Sequence, residues 1–325
     1  MKKLYLNIVF LMLLVGLTVI FLYRRQSTVY SSDNYLASII DKNNLLKNTV
    51  SPRIIFVGAS NLAFGIDSER MEKEFGMPVI NMGIHGNLGL ALLLNNVKKY
   101  LRKDDIVILA TEYYLGEFDF NTVNYTVKIF PEAGDYVDYG LDYYKQRVNY
   151  TFNELQLYRK KIQNKIFGKK LNLKELKMNT ENDLNLFDTS LYARNKFNSN
   201  GDVISHLTKE KPKEIKGRVL LEKKDYDYYI SMLNDFQEYA ASIGAKVYYS
   251  FPCYPESEVV KYKKVISEYE DDLRKNLKIE IINTPSDLVY PDSLFFDTVY
   301  HLNKDGRQKR TDYTINLLKE RVFKK

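Results

Sequence analysis

A chain of 325 residues with 45% apolar and 27% charged positions is long enough to bury one large α/β core, which excludes a wholly disordered protein. Its formal charge of +7 comes from 48 Lys and Arg interspersed with 41 Asp and Glu; without a basic stripe, nucleic acid is set aside as a partner. The lone Cys253 excludes an intramolecular disulfide and a thiolate metal cluster, and leaves the redox compartment open.

The clearest organisational signal is LYLNIVFLMLLVGLTVIFLY, Leu4 to Tyr23, flanked by Met1-Lys2-Lys3 and Arg24-Arg25. About 20 apolar residues in a helix span the roughly 30 Å of a bilayer's hydrocarbon core. A cleaved signal peptide is the alternative, but the segment ends in Phe21-Leu22-Tyr23 and two arginines rather than a small-x-small cleavage site. The pattern predicts an uncleaved transmembrane signal anchor over residues 1–25, in the membrane through residues 4–23. A short basic tail before a large C-terminal domain predicts a single-pass protein with a cytoplasmic N-terminus and an extracytoplasmic main domain. Residues 26–51 read as a stalk plus a first helix, and 52–325 as the main domain.

Strands and helices then alternate. Ile54–Gly58, IIFVG, is a continuous apolar run of the kind buried on both faces of a parallel sheet. A helix capped near Asp67 runs through SERMEKEF to a glycine stop at Gly76. PVINM (Pro78 to Met82) predicts the second strand, GIHGN a loop, and LGLALLLNNVKKYLRK a helix burying Leu88, Ala91, Leu92 and Tyr100. IVILATEYY (Ile106 to Tyr114) predicts the third strand. The alternation resumes with YYISMLNDFQEYAASIG, a helix stopped by Gly244, and the strand AKVYYSFP (Ala245 to Pro252). A charged helix, the strand IEIIN (Ile279 to Asn283) and a last helix from about Lys304 to Val322 close the chain. Five strands separated by helices predict a doubly wound, mostly parallel sheet covered on both faces, with ligands at the carboxyl ends of its strands.

Between residues 117 and 225 the alternation fails, which marks an insertion: either a cap over the site or a surface segment without a role. It carries a long helix expected over Tyr143 to Phe167, and Asn200-Gly201 reads as a hairpin turn demanding positive φ.

Ser60 follows the first strand and opens the next helix. A serine there can be a nucleophile, fixed by the sheet and favoured by the helix N-terminus, or merely a cap. A base decides between them, and the chain has three histidines, His85, His206 and His301. His301, in FFDTVYHLNKDGR before the last helix, belongs at the same sheet edge as Ser60, and Asp297 lies four residues upstream, within a turn's reach of its ring.

These residues resemble a known family. VGASN, NMGIHGN and DTVYHLNKDG are similar to the first, second and last blocks of the SGNH/GDSL hydrolase superfamily, in particular its membrane-anchored, acyltransferase-like members acting on cell-envelope polysaccharides. The resemblance covers roughly residues 53–115 and 245–318. It implies a flavodoxin-like, three-layer α/β/α fold and a Ser-His(-Asp) site. Ser60 corresponds to the nucleophile and an oxyanion donor through its own N–H, His301 to the base, Asp297 to the acid and Gly83 to a second oxyanion donor. Asn61, Glu112 and His85 are candidates for substrate contact or for orienting a neighbour. The implied partners are an acylated glycan or acyl donor and a membrane-bound acyltransferase. Two positions depart from the family: the third block's asparagine is replaced by Glu112, and the usual Asp-x-x-His is lengthened to Asp297-Thr298-Val299-Tyr300-His301. A carboxylate donates a hydrogen bond only when protonated, so a catalytically silent SGNH-fold protein that binds glycan or scaffolds the envelope is the alternative.

Competing motifs are weaker. Gly83, Gly86 and Gly89 are spaced G-x-x-G-x-x-G rather than as a dinucleotide fingerprint, no phosphate loop is present, and the histidines lack helical metal-ligand spacing. No cofactor and no metal are expected. Cys253 reads as a small buried residue.

Overall fold

The computed structural model describes residues 2–26, 33–113, 118–137, 143–149, 190–212 and 226–324, with scattered positions besides. Helix α1 (Lys2–Gln26) is one continuous helix whose side chains from Leu4 to Leu17 are largely exposed. Among the described residues no helix is long and apolar enough to cross a membrane. The described side chains of α1 end at Thr18, short of the about 20 positions a span needs. Helix α2 (Ser38–Asn48) packs into the main domain rather than standing off it, burying Ile39, Lys42, Asn43 and Leu46.

The main sheet contains β1 (Ile54–Gly58), β2 (Val79–Asn81), β3 (Ile106–Ala110), β4 (Lys246–Tyr249) and β6 (Glu280–Ile281) in the order β2-β1-β3-β4-β6, and every pair is parallel. A second, two-stranded pair joins β5 (Tyr254–Pro255) to β7 (Val289–Tyr290). Successive residues of a strand point to opposite faces, and here both faces are covered. Ile55, Val57, Val107 and Leu109 enter one core with α5 (Leu90–Lys98) and α7 (Asp227–Ser242). Ile54, Phe56 and Ile108 enter another with α4 (Ser68–Phe75) and α9 (Lys304–Leu318). This α/β architecture with a five-stranded parallel sheet is consistent with a flavodoxin-like fold.

Local signals act as their chemistry dictates. Asp67 caps α4 by accepting the Arg70 N–H, and Gly76 ends it at φ 63°. Gly244 ends the turn after α7 at φ 81°. Gly201 sits at φ 90° in a turn closed by the Asn198 N–H to the Asp202 carbonyl at 2.8 Å, with Phe197 and Val203 bridged antiparallel beside it.

Two expectations are corrected. The third strand stops at Ala110, the last residue paired with β1, rather than at Tyr114, and beyond it the Thr111 hydroxyl joins those of Tyr249 (2.8 Å) and Tyr269 (3.4 Å). Helix α5 buries Leu90, Leu92, Leu93, Leu94 and Val97, while Ala91 and Tyr100 are only half-buried. It lies between β1, α7 and the turn at Pro131–Tyr136, so more than one stripe is covered. The helix expected over Tyr143 to Phe167 falls largely outside the described residues.

Candidate active site

The reversal of strand order between β1 and β3 sets the site. Gly58 pairs with Ala110, so two residues further along each chain bring Ser60 and Glu112 to the same edge. The strands approach so closely that a Cβ at Gly58 would lie 2.3 Å from the Ala110 carbonyl oxygen. Ser60 is the first residue of α3 (Ser60–Ala63), and the N-cap position belongs to Ala59, so the serine side chain is not a cap. Its hydroxyl instead donates to Glu112 Oε1 at 3.3 Å.

His301 arrives from the loop before α9. The added residue between Asp297 and His301 is absorbed by a turn, in which the His301 N–H donates to the carbonyl (3.3 Å) and hydroxyl (3.2 Å) oxygens of Thr298. That turn carries Asp297 Oδ1 to 2.8 Å from His301 Nδ1. The ring is 6% exposed and stacks on Phe64, centroids 4.0 Å apart and 7° from parallel. Phe64 lies one turn after Ser60, its N–H donating to the Ser60 carbonyl at 3.0 Å. His301 and Ser60 are thus neighbours through Phe64, and the imidazole lies close enough to favour ionisation of Glu112. Among the described residues the two catalytic candidates make no direct hydrogen bond. Burial of Asp297 opposes its charge, but the hydrogen bond from His301 and that ring's charge outweigh it and hold the carboxyl below its ordinary value.

A tyrosine from the insertion completes this pair. Tyr192 donates to Asp297 Oδ2, and its hydroxyl lies 3.2 Å from His301 Nδ1. Burial, then the Asp297 charge, push its phenol well above the ordinary range, so it stays a neutral donor. Its ring meets Phe64 (5.4 Å) and Tyr35 (5.7 Å), and Tyr35 from the N-terminal segment donates to the Ile84 carbonyl at 2.7 Å. Neither tyrosine was signalled by a motif; they reach the site only through tertiary packing.

The remaining predicted residues divide. Gly83 is required for close approach, since a Cβ there would lie 2.7 Å from the Ala59 carbonyl oxygen and from Leu62 Cβ. Its N–H is engaged by Asn81 Oδ1 at 2.9 Å, which corrects the expectation of an oxyanion donor directed at substrate. Asn61 is fully buried and acts as a strut: Nδ2 donates to the Ala110 carbonyl at 3.0 Å, and Oδ1 accepts the Ala59 N–H at 3.2 Å. It orients the turn and does not reach outward. His85 Nδ1 accepts the Asn87 N–H at 3.1 Å; desolvation, then the nearby His301, lower the ring to about 4, so it is neutral near pH 7. Burial pushes the Cys253 thiol up to about 11, which removes it as a nucleophile. Three further hydroxyls, of Tyr113, Tyr254 and Tyr300, are buried without a well-formed hydrogen bond among the described residues. Two of them, Tyr254 and Tyr300, lie within electrostatic reach of Glu112.

Among the described residues no group of three or more His, Cys, Asp or Glu side chains is arranged to hold a metal ion. No family model matches the chain, and no curated protein matches its sequence. The functional reading therefore stands on the motif residues and on the geometry of Ser60, Glu112, Asp297 and His301.

Proposed function

We propose that this chain is a membrane-anchored, SGNH-like serine esterase or O-acyltransferase acting on acyl groups of cell-envelope polysaccharide. The observation that carries the reading is the Asp297–His301 pair at 2.8 Å, stacked on Phe64 one turn from Ser60. Asp297 accepts from Nδ1–H, which leaves Nε2 as the proton acceptor and stabilises the imidazolium formed when it takes the Ser60 proton. Ser60 Oγ then attacks an acyl ester, and a sugar hydroxyl or water receives the acyl group. A rotation of the Ser60 side chain from Glu112 toward His301 precedes attack, and catalytic hydrogen bonds commonly tighten only with substrate bound. The continuous helix α1 and its apolar sequence support an N-terminal anchor, with the N-terminus cytoplasmic, the main domain extracytoplasmic and a membrane-bound acyltransferase as acyl-supplying partner.

A catalytically silent glycan-binding or scaffold protein of the same fold is the second reading, favoured by the engaged Gly83 N–H and by the Ser60 hydroxyl resting on Glu112. Labelling of the full chain with a fluorophosphonate probe separates the two. Under the enzymatic reading the wild type labels and Ser60→Ala does not; labelling that persists in Ser60→Ala, or no labelling of a folded wild type, rejects it.

A further inference from the structure

Two walls meet at Ser60. One carries the Asp297–His301 pair with Tyr192 behind it. The other is the loop from Gly83 to Asn87, where Gly83 lies against Ala59 and Gly86 against the Glu112 carboxyl. Tyr35, from the segment between α1 and α2, touches both. Its ring meets Tyr192 edge-on, with centroids 5.7 Å apart and 67° between the planes, and meets Phe197 at 5.0 Å. Its hydroxyl donates to the Ile84 carbonyl at 2.7 Å, inside the second wall.

The segment that carries Tyr35 is fastened on both sides of this contact. Asn34 Oδ1 accepts the Leu36 N–H at 2.9 Å and opens the turn Tyr35–Ala37. Asn34 also forms an antiparallel bridge with Ala193, the neighbour of Tyr192, and the Arg194 N–H donates to the Asp33 carbonyl at 2.8 Å. The Arg194 guanidinium holds both Asp41 oxygens, at 2.6 and 2.7 Å. Further along α2, Lys42 Nζ donates to the carbonyls of Asn81 (2.7 Å) and Gly201 (2.5 Å).

We propose that Tyr35 is a positioning residue for acyl transfer: its ring holds the Tyr192 hydroxyl on Asp297, and its own hydroxyl holds the Gly83-to-Asn87 loop beside Ser60. The inference rests on the acyl-transfer reading above and extends the catalytic machinery into the segment ahead of the first strand. At 1% exposure Tyr35 does not reach substrate, so it acts through its neighbours. A side chain orients a proton acceptor only as well as its own rotamer is locked by packing and hydrogen bonds. Without the Tyr35 edge against it, the Tyr192 ring can tilt and loosen its hold on Asp297 while staying in the core. A misplacement of about 1 Å, arising away from the chemistry, can cost about 10²-fold in rate.

The experiment measures kcat and KM against pH for the full chain in detergent with 4-nitrophenyl acetate, with circular dichroism confirming folding. It compares wild type, Tyr35→Leu, Tyr35→Phe, Tyr192→Phe, the double variant Tyr35→Leu/Tyr192→Phe, and Ser60→Ala. Tyr35→Leu is expected to lower kcat by about 10- to 100-fold at nearly constant KM, and to shift the pH profile of kcat in the same direction as Tyr192→Phe. The double variant should lose less than the product of the two single losses, because the Tyr35 ring acts through the hydroxyl that Tyr192→Phe removes. Tyr35→Phe keeps the ring, so it should retain the wild-type pH profile and lose only about 2- to 10-fold with the Ile84 hydrogen bond. A readout without turnover is the proton resonance between His301 and Asp297, identified by its loss in His301→Gln. It should move in Tyr35→Leu and stay in place in Tyr35→Phe. An unmoved pH profile and resonance in Tyr35→Leu, single losses that multiply in the double variant, or a Tyr35→Phe kcat equal to wild type would each overturn the proposal. The last of these decides even where Tyr35→Leu does not fold. Hydrolysis that survives Ser60→Ala would instead remove the acyl-transfer reading, and the resonance alone would then decide whether Tyr35 positions the pair.

Discussion

The two ends of the same strands treat charge in opposite ways. At the amino ends, Arg53 and Asp105 immediately precede β1 and β3 and form a fully buried pair, Nε to Oδ1 at 3.1 Å and Nη2 to Oδ2 at 3.1 Å. Every neighbour there completes them: Arg53 also donates to the carbonyls of Leu46, Thr49 and Tyr100, and Asp105 accepts from the Ser51 hydroxyl and the Arg102 N–H. At the carboxyl ends, Ser60 rests on a carboxyl with a raised pKa, and the hydroxyls of Tyr113, Tyr254 and Tyr300 are buried without a well-formed partner among the described residues. A completed network resists change, while an incomplete one leaves hydrogen-bonding capacity to be used when an acyl group arrives.

The contrast can be broken at either end. The largest effect is expected from His301→Gln, which nearly preserves ring volume but removes the base. Acyl transfer should fall by about 10⁴-fold or more with only a small change in melting temperature. Single-turnover kinetics beside a thermal melt would check both halves, and a merely tenfold loss would place the base elsewhere. Next, Arg53→Met strips Asp105 of its partner and should cost about 3–5 kcal/mol of stability, read from urea denaturation, while the surviving folded fraction keeps its kcat. Equal stability would mean that buried Asp105 does not depend on Arg53. The smallest effect belongs to Tyr192→Phe. Losing one hydrogen bond to a charged group corresponds to about 1.5–3 kcal/mol, so kcat/KM should drop by roughly 10- to 150-fold. A structural role alone would lower stability without altering the pH profile of kcat, whereas loss of Asp297 orientation should shift it.

Much of this arrangement was legible because it depends on short-range chemistry. Four apolar residues before Gly58 specify a buried strand, and Gly76, Gly201 and Gly244 mark turns that demand a left-handed backbone. The Ser60–Glu112 contact follows once β1 and β3 are known to pair with Gly58 opposite Ala110. What stayed hidden depends on where distant segments return. Tyr192 meets Asp297 across 105 positions of chain, and no periodicity encodes that meeting. The engagement of Gly83 was equally invisible, since Asn81 looked like an ordinary strand residue until its side chain curled onto the N–H two positions later. The lengthened Asp297-to-His301 interval looked unfavourable by spacing, yet Thr298 supplies the turn that restores contact.

Asp202 gives the insertion a wider meaning. Fully buried, it accepts from the Ser68 N–H (2.8 Å) and hydroxyl (2.6 Å), Asn81 Nδ2 (2.8 Å) and Arg307 Nη2 (3.1 Å). One carboxylate from the interrupting segment thus clasps α4, β2 and α9. Excising residues 117–225 as a removable module would unclasp all three and take one of its two carboxylate partners from Arg307, leaving Asp67 and the Ile66 carbonyl, so minimal versions of this protein have to be cut inside the interruption, upstream of Tyr192, and not at its sequence borders.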